Sequence, residues 1–294
     1  MKLILSRKGF DGGNGRCPSP IFPDETMVSL PILLGGASHK MSQVPCGQPG
    51  VNIGQVVADI TARLAPANRL SGDSSVHLDP SLKPHLQPVP PGWRSAFGQV
   101  GTAQGHLTNR GIAKGDLFLF FGWFRKVEQH AGRWRYRPES PDLHVVFGWL
   151  EVDQILQIDD GFNVNRAHPW LSDHPHVRHA KEMGRSNTVY VASQELTFDK
   201  SKAGGGSFDR FKPRLQLTTP NANQRSMWTL PSWFHPSAPP TMHDLSYHET
   251  PGRWTLDGNG LQTQLRAVNR GQEFVISLDG DRRHPAMEWL KSLF

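Results

Sequence analysis

The strongest constraint on this chain lies between Lys114 and Val152. Two apolar runs stand there, Gly-Asp-Leu-Phe-Leu-Phe-Phe-Gly-Trp-Phe-Arg (115–125) and His-Val-Val-Phe-Gly-Trp-Leu-Glu-Val (144–152). A polar connection holding Gly132, Pro138 and Pro141 separates them. Runs this apolar, rich in β-branched and aromatic residues, read as strands covered on both faces. Each carries the tripeptide Phe-Gly-Trp, at 121–123 and again at 147–149. A glycine in mid-strand marks a bulge, or a bend where another backbone comes too close for a side chain. Two strands bent at matching places imply a curved sheet or a small barrel, closed or half-closed. The plainer alternative is the core hairpin of a β domain.

Shorter elements surround this pair. Residues 2–6, 187–192, 215–218 and 270–276 read as strands, and 204–208 as a flexible glycine loop. Asn52 to Leu64 places apolar residues at 53, 56, 57, 60 and 64, the spacing of a helix packed on a sheet, and Ala286 to Phe294 closes the chain with a short helix. The stretch 35–50 and the Pro-rich run 84–91 read as connections. With 29 Gly and 24 Pro, and few long periodic segments, the expected class is α+β and β-rich, with helical and loop-rich insertions.

The formal charge of +6 favours polyanion partners such as nucleotides or nucleic acid, although no Lys/Arg run exceeds a few residues. Two cysteines, Cys17 and Cys46, make neither a disulfide framework nor a metal set. No stretch approaches the roughly 20 apolar residues of a membrane span, so the reading expects a cytoplasmic protein with no membrane partner. No cofactor fingerprint and no nucleophile elbow is present, and no cofactor is assigned.

Candidate site residues cluster at strand ends. Residues Arg7, Lys8, Gly9, Phe10 and Asp11, with Gly12, Gly13 and Gly15, directly follow the first strand. Glycines let backbone N–H groups approach an anion, and the two cations pair with phosphate; a polar turn is the alternative. The proline-stiffened path that follows adds Ser19 and Asp24. Residues 97–111 contribute His106, either on a base-binding lip or on a capped helix start. Trp123, Arg125 and His144 flank the organising strands. Arg225, Trp233 and His248 mix cations and imidazoles with stacking surfaces, and Glu273 opens the last strand. Asp11, Asp24 or Glu273 would act as general acid or base, with His106 or His144 as partner. His77 precedes Asp79 by two residues, a functional pair or the start of an Asp-Pro turn. Four histidines fall between His168 and His179, but Pro175 separates His174 from His176 and no Cys/Glu partner is near. They read as neutral, surface or nucleic-acid-facing histidines, and no metal is assigned.

Several segments together resemble one family, nucleotide modification associated domain 3. They are Leu-Ser-Arg-Lys-Gly-Phe-Asp (5–11), Pro-Ser-Pro-Ile-Phe-Pro-Asp (18–24), Ser-Leu-Pro-Ile (29–32), the two organising strands, and Arg-Gly-Gln-Glu-Phe-Val (270–275). Where family patterns carry Pro-Asp-Gly, this chain has Pro23-Asp24-Glu25. The resemblance implies one domain over 1–294, with a core at about 97–195 plus strand 1–11, and a C-terminal aromatic-rich part at 207–294. It implies a bacterial or phage protein tied to systems that modify nucleotides in DNA, with partner proteins of such a system. Leu3 to Lys8, Gly115 to Phe121 and Gly148-Trp149-Leu150-Glu151-Val152 also look like PUA/EVE-type barrels, whose members read modified bases in an aromatic pocket; that is a fold analogy. The expected function is recognition of a nucleotide or modified base in an aromatic, basic cleft, with Trp123, Trp149 or Trp233 stacking on it. The alternative is an enzyme acting on a base or nucleotide by carboxylate and histidine acid–base chemistry. A structural adaptor is the third reading.

Overall fold

The structure is a computed structural model that describes the chain apart from residues 36, 38, 85–88, 160–161, 165–167 and 270. The middle of the run 84–91, Asn165 and Arg270 therefore lie outside the described residues. The strands in chain order are β1 (Lys2–Arg7), β2 (Ser19–Ile21), β3 (His39–Lys40), β4 (Ser75–Val76), β5 (Ala96–Gln99), β6 (Leu117–His130), β7 (Arg133–Tyr136), β8 (Leu143–Gln157), β9 (Thr188–Ala192), β10 (Glu195–Leu196), β11 (Asp199–Ala203), β12 (Gly205–Ser207), β13 (Met227–Pro231), β14 (Trp254–Leu256), β15 (Gln262–Arg266) and β16 (Glu273–Ser277). The helices are α1 (Ile53–Thr61), α2 (Gly101–Asn109), α3 (Pro175–Arg178) and α4 (Arg283–Leu293).

The two apolar runs become β6 and β8, the longest strands, paired antiparallel at the centre of a mixed sheet. Its order is β16-β1-β6-β8-β9-β5, with β2 and β7 also on β6 and β12 on β8. β1 and β2 run parallel to β6; the other pairs are antiparallel. The expected bend is present. Phe121 faces Val146 while Phe120 faces Gly148, so Phe147 is the extra residue of a bulge. A Cβ on Gly122 would lie 2.9 Å from the Lys8 carbonyl, and one on Gly148 would lie 2.3 Å from Leu82. β8 then shifts register between Val152 and Gln154 and turns from β12 to β9. The sheet stays open, because β16 and β5 share no backbone pairing among the described residues. It curls far enough for Gln99 Nε2 on β5 to donate to Glu273 Oε1 on β16 at 2.6 Å.

The core reads directly from these runs. Phe97, Phe118, Phe120 and Tyr190 meet edge to face at 5.1–5.2 Å or stack, and Phe121 packs between Trp228 and Phe274. Each such ring, fully buried, contributes about 1.5–3 kcal/mol. Trp228 is fully buried as a plug on this core, its Nε1 donating to His144 Nδ1 at 3.0 Å. The sheet β13-β15-β14 carries it there. Helix α1 forms where the apolar spacing requires it: Asn52 accepts from the Gly54 and Gln55 N–H groups, while Val56, Val57 and Ile60 bury against Phe22 and Val127.

Three expectations need correction. Part of the connection after residue 125 is itself structured: β6 runs on to His130 and folds back as β7. Ala131 (φ 50°) and Gly132 (φ 77°) are both left-handed, the two-residue turn that a tight hairpin requires. The glycine loop at 204–208 contains strand β12 on β8. Its glycines serve close approach, since a Cβ at Gly206 would lie 2.7 Å from Trp149. Residues 215–218 form no strand; they make single bridges, Val145 to Gln216 and Thr218 to Trp228. The turn at Pro23-Asp24-Glu25 forms without glycine, with Glu25 itself left-handed at φ 67°. No helix among the described residues is long and apolar enough to cross a membrane.

Candidate functional site

A cleft of about 750 Å³ opens where β1 leaves the sheet. Its walls are the β1 exit at Arg7–Gly9, the passage from β5 into α2, the 269–273 segment leading into β16, and a group of buried imidazoles from distant parts of the chain. β1 has a parallel neighbour on one side and an antiparallel one on the other, so chain ends of both polarities converge there.

The floor is a buried ion pair. Lys8 Nζ lies 2.7 Å from Glu273 Oε1, with side-chain exposures of 10% and 1%. The same oxygen accepts from Gln99 Nε2, whereas Glu273 Oε2 has no hydrogen-bond partner. Lys8 Nζ also sits 4.5 Å above the Phe97 ring. Register explains the meeting: Ser6 pairs with Glu273, so the next residues of β1 emerge beside it. Burial makes this pair costly to break rather than a strong net source of stability. Beside it, α2 starts after Val100 without a side-chain cap, and Val100, Thr102 and Ala103 line the cleft.

The rim is held by backbone contacts. Arg7 donates to the carbonyls of Val268 (2.8 Å) and Asn269 (2.8 Å). His248, fully buried, accepts from the Val268 N–H at 3.1 Å and lies 2.9 Å from the Ser246 carbonyl through Nδ1. Burial pushes its pKa down to about 4. His248 thus positions the rim without lining the cleft. Asp11 lines the cleft and caps its own turn, accepting from the Gly13 and Asn14 N–H groups at 2.7 Å. His106 lies 3.1 Å from Ser246 Oγ, and burial followed by the charge of Arg110 lowers its pKa. Its ring meets Tyr247 at 4.7 Å. Tyr247 is 45% exposed and left-handed at φ 67°. An L-residue with a large side chain is strained there, which in folded proteins concentrates at sites of function.

The opposite wall gathers His77, Asp79, His174 and His176. Asp79 Oδ1 accepts from the Gly98 N–H at 2.8 Å and lies 3.3 Å from His174 Nε2. Asp79 Oδ2 lies 3.8 Å from His77 Nε2 and 3.7 Å from His176 Nε2. Asn187 donates to the His176 carbonyl and faces His176 Nδ1 with its own oxygen, both at 2.7 Å. Burial would raise the Asp79 carboxyl, but the adjacent imidazoles of His174, His77 and His176 hold it well below the usual carboxylate range. Burial pushes His176 down to about 4. Among the described residues, His77, Asp79 and His176 form the group whose donor atoms have the spacing of a metal-ligand set. His174 and His176 are about 4% exposed, so the expectation of surface histidines is corrected. The ring of His176 fits because Gly98 has no side chain; a Cβ there would fall 2.1 Å from it.

Of the other named residues, Arg125 and Arg225 line an adjoining depression that shares Asn269 with the cleft, and Trp123 packs under Arg225 beside it. Arg225 lies 4.2 Å over the Trp123 ring, and both arginines approach Asp142, at 3.9 and 3.8 Å. His144 is buried against Trp228 and Phe121, and its pKa is lowered by burial and then by Arg7 and Arg225. Trp233 stacks on Phe234 at 3.9 Å and meets Trp289 of α4. Trp149 packs on Phe208 and Phe294. Phe10 and Ser19 are buried, Ser19 accepting from the Leu30 N–H, and Asp24 holds Thr26 in its turn. None of these lines the cleft, although Gly9 does. Sequence reading missed Gln99 and the joining of His77-x-Asp79 to His176, and it saw Tyr247 only as part of the mixed aromatic segment 245–248, not as a site residue. The two histidine signals were visible, but nothing local connects residues 97 positions apart.

The family model for nucleotide modification associated domain 3 matches residues 2–277. No curated protein and no solved structure matches the chain.

Proposed function

The chain belongs to the nucleotide modification associated domain 3 family, and from that premise we propose that the cleft binds a nucleotide or a modified base. The family name ties the chain to nucleotide modification. The observation that carries the reading is Tyr247, a half-exposed aromatic in a strained backbone conformation, set against His106 on the cleft rim. A base stacks on that pair at a cost its π-face repays by about 1–3 kcal/mol. The uncapped start of α2 and the Arg7–Lys8 corner receive an anionic group. Gln99 and the free oxygen of Glu273 read the polar edge of the base. The neighbouring Arg125–Arg225 depression extends the surface toward a second phosphate, which suits a DNA strand as ligand.

A second reading, an enzyme acting on a base or nucleotide, draws on one further observation. The same cleft holds both a buried carboxylate with an unpartnered oxygen, Glu273, and the His77–Asp79–His176 group. The test is equilibrium binding of modified and unmodified nucleotides and of single- and double-stranded DNA at two salt concentrations, with product mass measured on the same samples. Binding weakened at least tenfold in Tyr247→Ala, with thermal stability unchanged, supports the base-binding reading; equal binding by the variant refutes it. A mass change in any substrate selects the enzyme.

A further inference from the structure

We propose that His77, Asp79 and His176 bind a divalent first-row metal ion whose open coordination position faces the cleft. The Asn187 amide is oriented by its donation to the His176 carbonyl, so its oxygen faces His176 Nδ1 at 2.7 Å. An amide oxygen only accepts, so Nδ1 carries the hydrogen and Nε2 presents a lone pair. That lone pair points across 3.7 Å at Asp79 Oδ2. His77 Nε2 stands 3.8 Å from the same oxygen, and His77 Nδ1 is buried with no hydrogen-bond partner.

Separations of 3.7–3.8 Å are too long for hydrogen bonds. The lone pairs of His176 Nε2 and Asp79 Oδ2, facing one another in a buried wall, repel, and a cation between them removes the repulsion; with its proton on Nδ1, His77 Nε2 offers a third lone pair to that cation. Metal–ligand bonds of about 2.0–2.1 Å in a tetrahedral arrangement set neighbouring donors about 3.4 Å apart. The two gaps to Asp79 need only a few tenths of an ångström of closure, and all three donor atoms lie within 4.8 Å of one another.

The surroundings are those of a built site. The other ring nitrogen of His176 is held by Asn187, the outer-shell pattern that fixes the tautomer of a metal-bound histidine. Asp79 Oδ1 is occupied by the Gly98 N–H with His174 alongside, which leaves Oδ2 for the metal. Two imidazoles and one carboxylate suit zinc or ferrous iron, and three protein donors leave a position for water or a substrate oxygen. His77, Asp79 and His176 all line the cleft, so that position opens toward its ligand. This inference stands whether or not the cleft binds a nucleotide.

The full chain, stripped with chelator, is loaded separately with Zn²⁺, Co²⁺ and, without oxygen, Fe²⁺, then freed of excess ion for elemental analysis. Co²⁺ binding is also followed by its visible absorption. One equivalent of metal is expected. His77→Gln and His176→Gln lower affinity at least about 100-fold, and Asn187→Ala by about 10–100-fold. His179→Ala, whose ring faces Glu182 at 3.6 Å outside the group, leaves it unchanged. Circular dichroism establishes which variants are folded, and the wild-type stoichiometry decides even where a variant fails to fold. A wild-type protein that retains well under one equivalent of every metal overturns the proposal. So does wild-type affinity in folded His77→Gln and His176→Gln. One equivalent of metal with no nucleotide bound keeps this proposal and removes the base-binding reading.

Discussion

Gly98→Ala is the sharpest perturbation this structure offers, because one methyl group tests where a buried ring lies. Gly98 sits in β5 opposite Val189, and its φ is not left-handed, so alanine meets no backbone strain. The added Cβ would fall 2.1, 2.3 and 2.6 Å from Cδ2, Cγ and Nε2 of His176. Carbon contacts settle near 3.5–4.0 Å, so the ring must retreat by more than about 1 Å. Its Asn187 bond and its burial oppose that movement. Overpacking costs about 1–3 kcal/mol, while loss of glycine freedom in the unfolded chain returns about 0.4–1 kcal/mol. The net expectation is a loss of about 1–2 kcal/mol, read as a lower urea midpoint at unchanged slope. Cobalt affinity falls together with it, since Nε2 leaves the Asp79 oxygen. In a His176→Ala background the clash vanishes, and Gly98→Ala becomes neutral or stabilising by up to about 1 kcal/mol. The cycle therefore yields a coupling of about 2 kcal/mol. An equal effect in both backgrounds would show that the ring does not lie against this strand, and the site geometry would fall with it.

Three more outcomes follow from the cleft and the residues behind its rim. Lys8→Met leaves Glu273 buried without its cation and should cost about 3–5 kcal/mol in urea unfolding; adding Glu273→Gln should recover much of that, and strict additivity would contradict a buried pair. Tyr247→Gly relieves the left-handed residue, so stability should hold or rise by up to about 1 kcal/mol while nucleotide binding weakens at least tenfold; a stability loss with binding intact would make Tyr247 structural. His248 is held near 4 in the folded protein, against about 6.5 when unfolded. Between those values the unfolded state binds more protons, so the stability is complete above about 6.5 and is lost as pH falls toward about 4, by about 3 kcal/mol in all. Unfolding curves across that window should be markedly flatter in folded His248→Gln, and an identical pH slope would acquit His248.

Parts of this site were legible before any fold was known. Arg7, Lys8, Gly9 and Asp11 follow an apolar strand, and charge at the end of a buried strand must face a cleft or solvent. His106 and Glu273 were visible for the same reason. His144 carried the same signal and lies in the core, because a neutral imidazole with Trp228 as donor is as easily buried as a phenyl ring. Trp233 shows the same limit, since an indole stacks on Phe234 in a packed interior as readily as on a base. Tyr247 was passed over because a left-handed φ at a non-glycine residue leaves no mark in sequence.

The sequence alone determined the paired central strands, their bend, the amphipathic helix and the charged β1 exit, since each follows from the spacing of apolar, glycine and polar residues within one segment. Tertiary structure alone decided that the sheet stays open yet curls until Gln99 reaches Glu273. It alone brought Asp79 to His176, and gave Gly98 and Gly206 their purpose against particular rings. Those outcomes depend on register and curvature summed over the whole sheet. A one-residue slip of either central strand would move every one of these contacts.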